Sequence, residues 1–257
     1  MRPDERLAVA LILSIPLLAP PGAAAQEAPG GDAAKTQEVA DRLMAALGGE
    51  EAWAKTRYLS FGFAGRRTHW WDRHTGRHRL EGTTREGESY VVLHDVDDQG
   101  KQGRAWLAGK PAEGDKAAEL IENAYAAWIN DTYWLLAPYK IRDPGVTLAY
   151  AGQETVGGTT YDKLHLSFQN VGLTPGDQYW LYVHPETGRV DRWAYVLEDQ
   201  EPPPTVWEWK NWQQYGPGIW LADGRFNPDS GRELPLSPIT VPDELPDSVF
   251  ESPEPVP

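Results

Sequence analysis

The sequence predicts a mainly β fold with helices, arranged as an antiparallel meander. Short stretches alternate apolar and polar residues, which is the period of a strand with one buried face. Turn residues separate these stretches at short intervals, and there is no long alternation of strands with helices of the kind that builds a parallel sheet. The 257 residues include twelve tryptophans and no cysteine, so the core has to be stable without disulfides.

The amino terminus has the features of a secretory signal. An apolar run over residues 7–19 follows two arginines and ends in a proline- and alanine-rich segment before Gln26. The run is shorter than the roughly 20 apolar residues that a membrane-spanning helix needs. We expect residues 1–25 to be a signal peptide, residues 26–32 a flexible linker, and the mature protein to be secreted across the inner membrane into the periplasm. An uncut membrane anchor is the alternative.

The first element after the linker is predicted to be a helix over residues 33–47. Asp32 is a suitable N-cap, and apolar residues then repeat at a spacing of four. Gly48 and Gly49 follow as a typical helix end. Residues 50–55 can add one more turn before the pattern changes to strands.

Strands are predicted from Leu59 onward, where apolar residues recur at every second position. Glycine-containing turns at residues 74–77 and 187–189 predict two hairpins. Besides the first strand around Leu59, strands are predicted at residues 68–72, 77–81, 89–96, 103–107, 146–151, 159–168, 179–183, 190–197, 205–212 and 219–226.

A helical pair is predicted to interrupt the meander. Apolar residues form a stripe over residues 114–128, and Asn130 is a suitable N-cap for a second, short helix that Pro138 stops. Asn130 also begins a glycosylation sequon, but the cap explains the residue without further assumptions. The pair needs an apolar surface for its stripe, and the concave face of a curved sheet would provide one.

The carboxyl terminus differs in composition from the rest of the chain. Residues 235–257 contain seven prolines and five carboxylates but neither lysine nor arginine. Such a segment cannot form a core of its own. Apolar residues in its first part predict an extended strap along the domain, and the residues after about Asp243 are expected to be free. The folded domain is therefore predicted to span residues 33–242, with an acidic, proline-rich tail at 243–257.

The charge balance excludes one class of partner. The formal net charge is −14, and removal of residues 1–25 leaves it unchanged because that segment holds two arginines and two carboxylates. An acidic chain repels phosphate backbones and anionic membrane surfaces at long range. We expect no nucleic-acid partner, no cofactor, and no stable membrane insertion once the signal is removed.

The order of elements resembles a known family. A helix ending in Leu-Gly-Gly precedes a run of strands, then Ala126-Ala-Trp-Ile-Asn-Asp-Thr-Tyr-Trp-Leu135 and Pro138-Tyr-Lys-Ile-Arg-Asp-Pro-Gly-Val146, then further strands. Over residues 33–226 this is similar to the periplasmic lipoprotein-carrier fold of LolA and LolB, and to outer-membrane lipoprotein-sorting-like proteins. The resemblance implies an incomplete antiparallel β-barrel, or half-barrel, covered by the N-terminal helix and the inserted helical pair. In the carriers it encloses a cavity for acyl chains.

The chain departs from that family in two respects. Without a cysteine it cannot be the lipid-anchored receptor type, and its tail is more acidic and richer in proline than that of a carrier. Fold likeness alone does not settle function.

The aromatic residues are the main candidates for a binding site. Tryptophans of this number imply either a very aromatic core or an aromatic-lined cavity. Most are expected to be core, and a minority would line a ligand pocket. The cavity candidates are Trp128, Trp134, Trp180, Trp193, Trp207 and Trp209.

The histidines offer a weaker signal. His69, His74 and His78 lie within ten residues, with Asp72 as a fourth possible ligand. On a hairpin, His74 belongs to the turn, while His69 and His78 can pair across strands and supply only two ligands. A solvated hairpin tip is the simpler interpretation, and we expect no metal site. His94, His165 and His184 show no recognisable spacing.

The sequence lacks the motifs of nucleophilic enzymes, including Gly-x-Ser-x-Gly and His-Glu-x-x-His. We therefore expect a non-enzymatic carrier or binding protein for a hydrophobic or amphipathic ligand, such as a lipid or the acyl chains of an envelope lipoprotein. One alternative is an extracytoplasmic hydrolase, with His69, Asp72, His165 or scattered carboxylates meeting in the sheet concavity. Another is a protein-interaction module that uses exposed aromatics and the acidic tail.

Overall fold

The computed structural model describes residues 32–169 and 173–256, so the expected signal peptide at 1–25 and most of the linker lie outside the described residues. The helices are α1 Ala33–Ala46, α2 Gly49–Lys55, α3 Gly114–Leu136 and α4 Ser248–Glu251, with a 3-10 turn at Ala137–Tyr139. The strands are β1 Tyr58–Phe63, β2 Arg67–Asp72, β3 Arg77–Thr83, β4 Ser89–Asp95, β5 Gly103–Leu107, β6 Lys110–Pro111, β7 Val146–Val156, β8 Thr159–Phe168, β9 Gln178–Val183, β10 Val190–Val196, β11 Thr205–Tyr215, β12 Ile219–Phe226, β13 Glu233–Pro235 and β14 Ile239–Thr240.

The strands form two antiparallel sheets of seven, which follow the chain almost in order. Sheet A has the order β14-β1-β2-β3-β4-β5-β6, and sheet B has the order β13-β12-β11-β10-β9-β8-β7. Nearly all neighbours in each sheet are also neighbours in sequence, as a meander requires. The prediction of a mainly β, antiparallel fold with helices is confirmed.

The two sheets meet at the segment that carries β13 and β14. The amide of Leu236 donates to Asp223 O of sheet B at 2.7 Å, while the amides of Gly62 and Ala64 in or beside β1 donate to Pro238 O and Pro235 O, each at 2.9 Å. Among the described residues no ladder joins the outer strands β6 and β7. The result is an open half-barrel, as the resemblance implied.

The inserted helical pair is a correction to the sequence prediction, because α3 is one continuous helix of 23 residues. No proline or glycine interrupts residues 115–136, so nothing in the chain breaks the helix. Asn130 does not cap a second helix; its side-chain amide donates to Asp131 instead, at 2.8 Å. Pro138 ends the helix as expected, through the 3-10 turn.

Helices cover the concave faces of both sheets. The first part of α3 packs Leu120, Ile121 and Ala124 against inward-facing residues of β3 to β5. Its last turns pack against sheet B, together with the apolar face of α1. The main core is therefore a layer between sheet and helices, and α3 contributes to both halves of it.

The outer face of sheet A is covered by the carboxyl-terminal segment, which was expected to be free after Asp243. Val249 and Phe250 of α4 are buried against Tyr58 and Trp70. Arg79, itself fully buried, donates to the backbone oxygens of the segment, including Val249 O at 3.0 Å. The segment supplies carbonyl acceptors and one aromatic anchor, and these outweigh its unfavourable composition.

No helix in the described part of the chain is both long and apolar enough to cross a membrane.

Candidate functional site

The aromatic residues of sheet B meet beneath the end of α3, and we call Tyr133, Trp134, Trp193, Trp207 and Trp209 the aromatic cluster. Trp134 of α3 lies edge-on to Trp193 and Trp207, with ring centroids 4.9 and 5.2 Å apart. Trp193 is in turn 5.9 Å from Trp209 and 6.2 Å from Tyr133. Strand register explains the grouping, because Trp193 and Trp207 are direct partners across β10 and β11.

The structure brings four of the six predicted tryptophans together and places the other two elsewhere. Trp128 lies on α3 but one to two turns before Trp134, where its ring meets Trp71 at 5.2 Å. Trp180 faces outward on β9, with its ring 5.1 Å from that of His165. The alternation that places Leu181 in the core turns Trp180 to the opposite face of the sheet.

The aromatic cluster is filled by its own side chains. Trp193, Trp207 and Trp209 are all buried. Two surface depressions, of about 520 and 240 Å³, lie at the edge of sheet A and beside Lys55, and none of the six tryptophans lines either of them. In the conformation described, these aromatics are core, so a ligand can reach them only if α3 moves.

Arg225 lies at the base of the aromatic cluster and was not singled out from the sequence. It pairs with Trp209 across β11 and β12, and its guanidinium lies 3.5 Å from the Trp209 ring centre. Its three hydrogen bonds go to backbone oxygens, of Ala222 at 3.0 Å, Gly224 at 2.8 Å and Trp134 at 2.5 Å. Burial lowers the pKa of Arg225 well below its ordinary value, which is the signature of a poorly solvated cation.

Several polar atoms of the aromatic cluster and of β12 are buried without a hydrogen-bond partner among the described residues. They are the indole nitrogens of Trp193, Trp207 and Trp209, the hydroxyl of Tyr133, Nε of Arg225 and, as the one acceptor among them, Oδ1 of Asp223. A buried donor without an acceptor costs about 1–3 kcal/mol. Such groups are rare in folded proteins, and each calls for an explanation.

A second buried polar arrangement links α3 to sheet A. His69 Nε2 lies 2.8 Å from Asp131 Oδ2, His69 Nδ1 lies 3.0 Å from His78 Nε2, and His78 Nδ1 lies 2.8 Å from His94 Nε2. Arg67 donates to both oxygens of Asp131, at 2.6 and 2.7 Å. We call this row of five side chains the histidine chain. Pairing of His69 with His78 was considered from the sequence, whereas the roles of His94 and Asp131 were missed.

The histidine chain is neutral at its imidazoles and negative at its carboxylate. Burial lowers the pKa of His69 and His78, and it lowers the pKa of His94 to about 4. Burial opposes ionisation of Asp131, but hydrogen bonds from His69 and Arg67 and the positive charge of Arg67 outweigh it and keep the pKa of Asp131 below its ordinary value. The histidine chain thus joins β2, β3 and β4 to α3, and it ends in the ion pair of Arg67 with Asp131.

The residues considered for a metal site or a hydrolase do not meet in one place. Asp72 faces outward and binds Arg57 and Arg77, while His74 lies 3.0 Å from the backbone oxygen of Ala54. His165 lies on sheet B against Gln178 at 2.6 Å. The imidazoles of the histidine chain hydrogen-bond one another, and no group of three ligating side chains suited to a metal is found in residues 32–169 and 173–256.

Comparison with known proteins identifies neither a family nor a curated relative. No protein-family model matches the chain, and no curated protein matches it.

Several solved structures are similar to this chain in architecture. An outer membrane lipoprotein-sorting protein domain from Vibrio parahaemolyticus is 12% identical, with a TM-score of 0.43, over 85% of this chain and 97% of that one. A DUF1329 family protein from Desulfovibrio piger is 13% identical, with a TM-score of 0.46, over 84% and 97%. A LolA superfamily protein from Nitrosomonas europaea is 12% identical, with a TM-score of 0.34, over 80% and 96%.

The names of these structures agree with the family that the sequence resembles. With every TM-score below 0.5, however, the likenesses indicate no ligand and no activity for this chain. What the chain does has to be inferred from its own residues.

Proposed function

We propose that this protein is an extracytoplasmic, non-enzymatic carrier or binding protein for a hydrophobic or amphipathic ligand, which it holds against the aromatic cluster without chemical change. The observation that carries the proposal is the aromatic cluster on the concave face of sheet B, covered by the last turns of a single helix. A lipid or the acyl chains of an envelope lipoprotein have the chemistry that such a surface takes.

Ligand entry requires α3 to move away from sheet B, because the aromatic cluster is filled in the form described. The apolar contacts that would be broken involve Trp134, Leu135 and Leu136 at the end of α3. Each methylene removed from water gains about 0.8 kcal/mol, so an acyl chain of about sixteen carbons gains on the order of 10 kcal/mol. A ligand of that size can replace the contacts of three side chains, and it stabilises the open form because it binds only there.

The experiment uses bromine as a contact quencher of tryptophan. Purified protein is titrated with 9,10-dibromostearate below its critical micelle concentration while tryptophan fluorescence is recorded. We expect saturable quenching, since the brominated acyl chain must lie against the aromatic cluster. Trp207→Phe should lower the amount of fluorescence that is quenched, whereas Trp106→Phe, on the outer face of sheet A, should leave that amount unchanged.

Two results would contradict the proposal. One is the absence of saturable quenching by any amphiphile, together with native mass spectra that show only empty protein after purification from the natural host. The other is quenching that Trp207→Phe and Trp106→Phe change equally, because that would indicate adsorption on the surface.

A further inference from the structure

The charge of Arg225 is the unusual feature of the aromatic cluster. Its side chain is 1% exposed, and among the described residues it has no carboxylate hydrogen-bond partner; Asp223 acts on it only through longer-range charge attraction. Removing a guanidinium from water is costly, and close partners of opposite charge offset most of that cost. Backbone oxygens and the Trp209 ring do so in part.

Several other partly or fully buried arginines of this chain have anionic partners. Arg67 forms its ion pair with Asp131, and Arg79 forms one with Glu81. Arg57 and Arg77 share Asp72. Arg73 and Arg192 are partly buried and, like Arg225, form no ion pair with the described residues, but Arg225 differs from both because it is almost fully buried.

Two buried donors without a partner among the described residues lie at this cation. They are Nε of Arg225 itself and the indole nitrogen of Trp209, whose ring centre is 3.5 Å from the guanidinium, and both side chains are at least nine-tenths buried. Both atoms donate hydrogen bonds, so what they lack is acceptors. A carboxylate or phosphate has several acceptor oxygens and a negative charge, so it supplies both the missing acceptors and an ion-pair partner for Arg225.

We infer that the ligand of the aromatic cluster is an anionic amphiphile, whose carboxylate or phosphate group pairs with Arg225 while its hydrocarbon chain lies on the tryptophans. This inference rests on the proposed function. When α3 moves, Arg225 loses the backbone oxygen of Trp134 and the anionic group takes that position. The net charge of −14 repels anionic surfaces at long range, so the ligand has to arrive as a single molecule whose charge is neutralised locally.

The test compares three brominated amphiphiles with the same chain, namely dibromostearate, its methyl ester and the corresponding amine. A charge-assisted hydrogen bond to a buried partner predicts that the carboxylate binds about 10- to 100-fold more tightly than the ester at pH 8. The amine should bind more weakly than the ester. Inorganic phosphate alone should not compete at concentrations that leave the fold intact.

Variants separate Arg225 from the other basic residues. Arg225→Gln should remove the preference for the carboxylate, and Arg225→Lys should retain part of it. Arg192→Gln is the matched control, because Arg192 also has an unpartnered buried Nε but lies one strand from β11 on the opposite face, over Tyr182. If Arg225→Gln does not fold, the three-ligand comparison on the unmodified protein still decides the question.

The outcomes distinguish this inference from the function on which it rests. Equal affinity for carboxylate and ester would overturn the inference while leaving the carrier function intact. Absence of quenching by all three amphiphiles would overturn both. Competition by inorganic phosphate alone would also overturn the inference, because it would identify a site for a free anion.

Discussion

Replacing Asp131 by asparagine tests how the histidine chain holds α3 on sheet A. The buried carboxylate of Asp131 accepts hydrogen bonds from Arg67 and from His69 Nε2. Asparagine has nearly the same shape but only one acceptor oxygen, and its other terminal atom is a donor. Its single oxygen can replace the acceptor for Arg67 or the one for His69, but not both.

The exchange is expected to change the tautomer of all three imidazoles, moving each proton from Nε2 to Nδ1. With aspartate, His69 carries its proton on Nε2, so its Nδ1 accepts from His78, and His78 Nδ1 accepts from His94. With the asparagine oxygen on Arg67, the amide donates to His69 Nε2. That nitrogen then loses its proton, and every hydrogen bond along the chain reverses.

The energetic cost follows from the charge that is left behind. Removing one partner of a buried ion pair costs about 3–5 kcal/mol. Because the Arg67 side chain is 28% exposed and can recover some hydration, we expect the lower end, about 3 kcal/mol. For a domain of this size that corresponds to a fall in Tm of roughly 6–12 °C.

The assays are urea denaturation and nitrogen-15 NMR of the histidine rings at pH 7.5. Glu122→Gln is the control, because it removes an exposed carboxylate from the same helix and should change the free energy of unfolding by about 0.5 kcal/mol or less. A free energy of unfolding for Asp131→Asn equal to that of the control would show that the ion pair does not hold α3 on sheet A. Three rings that keep their protons on Nε2 would contradict the hydrogen-bond directions given above.

Further predictions concern stability. The pKa of His94 is about 4 in the folded protein and about 6.5 in the unfolded chain, so its contribution to stability is fully present above pH 6.5. This contribution of about 3 kcal/mol should be lost as the pH falls through about 4. In His94→Gln, whose amide can still donate to His78, urea midpoints should depend less on pH over that range. Phe250→Ala should cost about 3–5 kcal/mol and make the carboxyl-terminal segment sensitive to carboxypeptidase, unless that segment contributes nothing to the fold. Trp193→Ala should cost about 3–5 kcal/mol by calorimetry and Trp180→Ala clearly less, and equal losses would contradict the faces assigned to them.

Local patterns account for most of the fold. The N-cap at Asp32 accepts hydrogen bonds from the amides of Ala34 and Lys35 as predicted, and the glycine turns at 74–77 and 187–189 join the expected hairpins. Each of these depends on residues a few positions apart. The predicted split of α3 into two helices was wrong because it rested on a local signal alone. Asn130 is a suitable N-cap, but in the continuous helix Asp131 reaches Arg67 and His69 of sheet A.

The candidate site was predicted only in part. Alternation placed Trp207 and Trp209 on one face of a strand, and pairing of β10 with β11 then brought Trp193 beside them. Nothing local distinguishes the outward Trp180 from the inward tryptophans, since its strand is apolar on both faces. Arg225 had no signal at all, because only burial makes an unpaired arginine unusual.

Periodicity, backbone preferences and composition already specify the order of the long strands, the turns between them and the acidic character of the chain. The tertiary structure alone decided which residues share an environment. It joined His69, His78, His94 and Asp131 from four elements, buried Phe250 under sheet A, and left Arg225 without an ion-pair partner among the described residues. Burial and the meeting of distant side chains depend on how sheets and helices pack, and no local pattern encodes that.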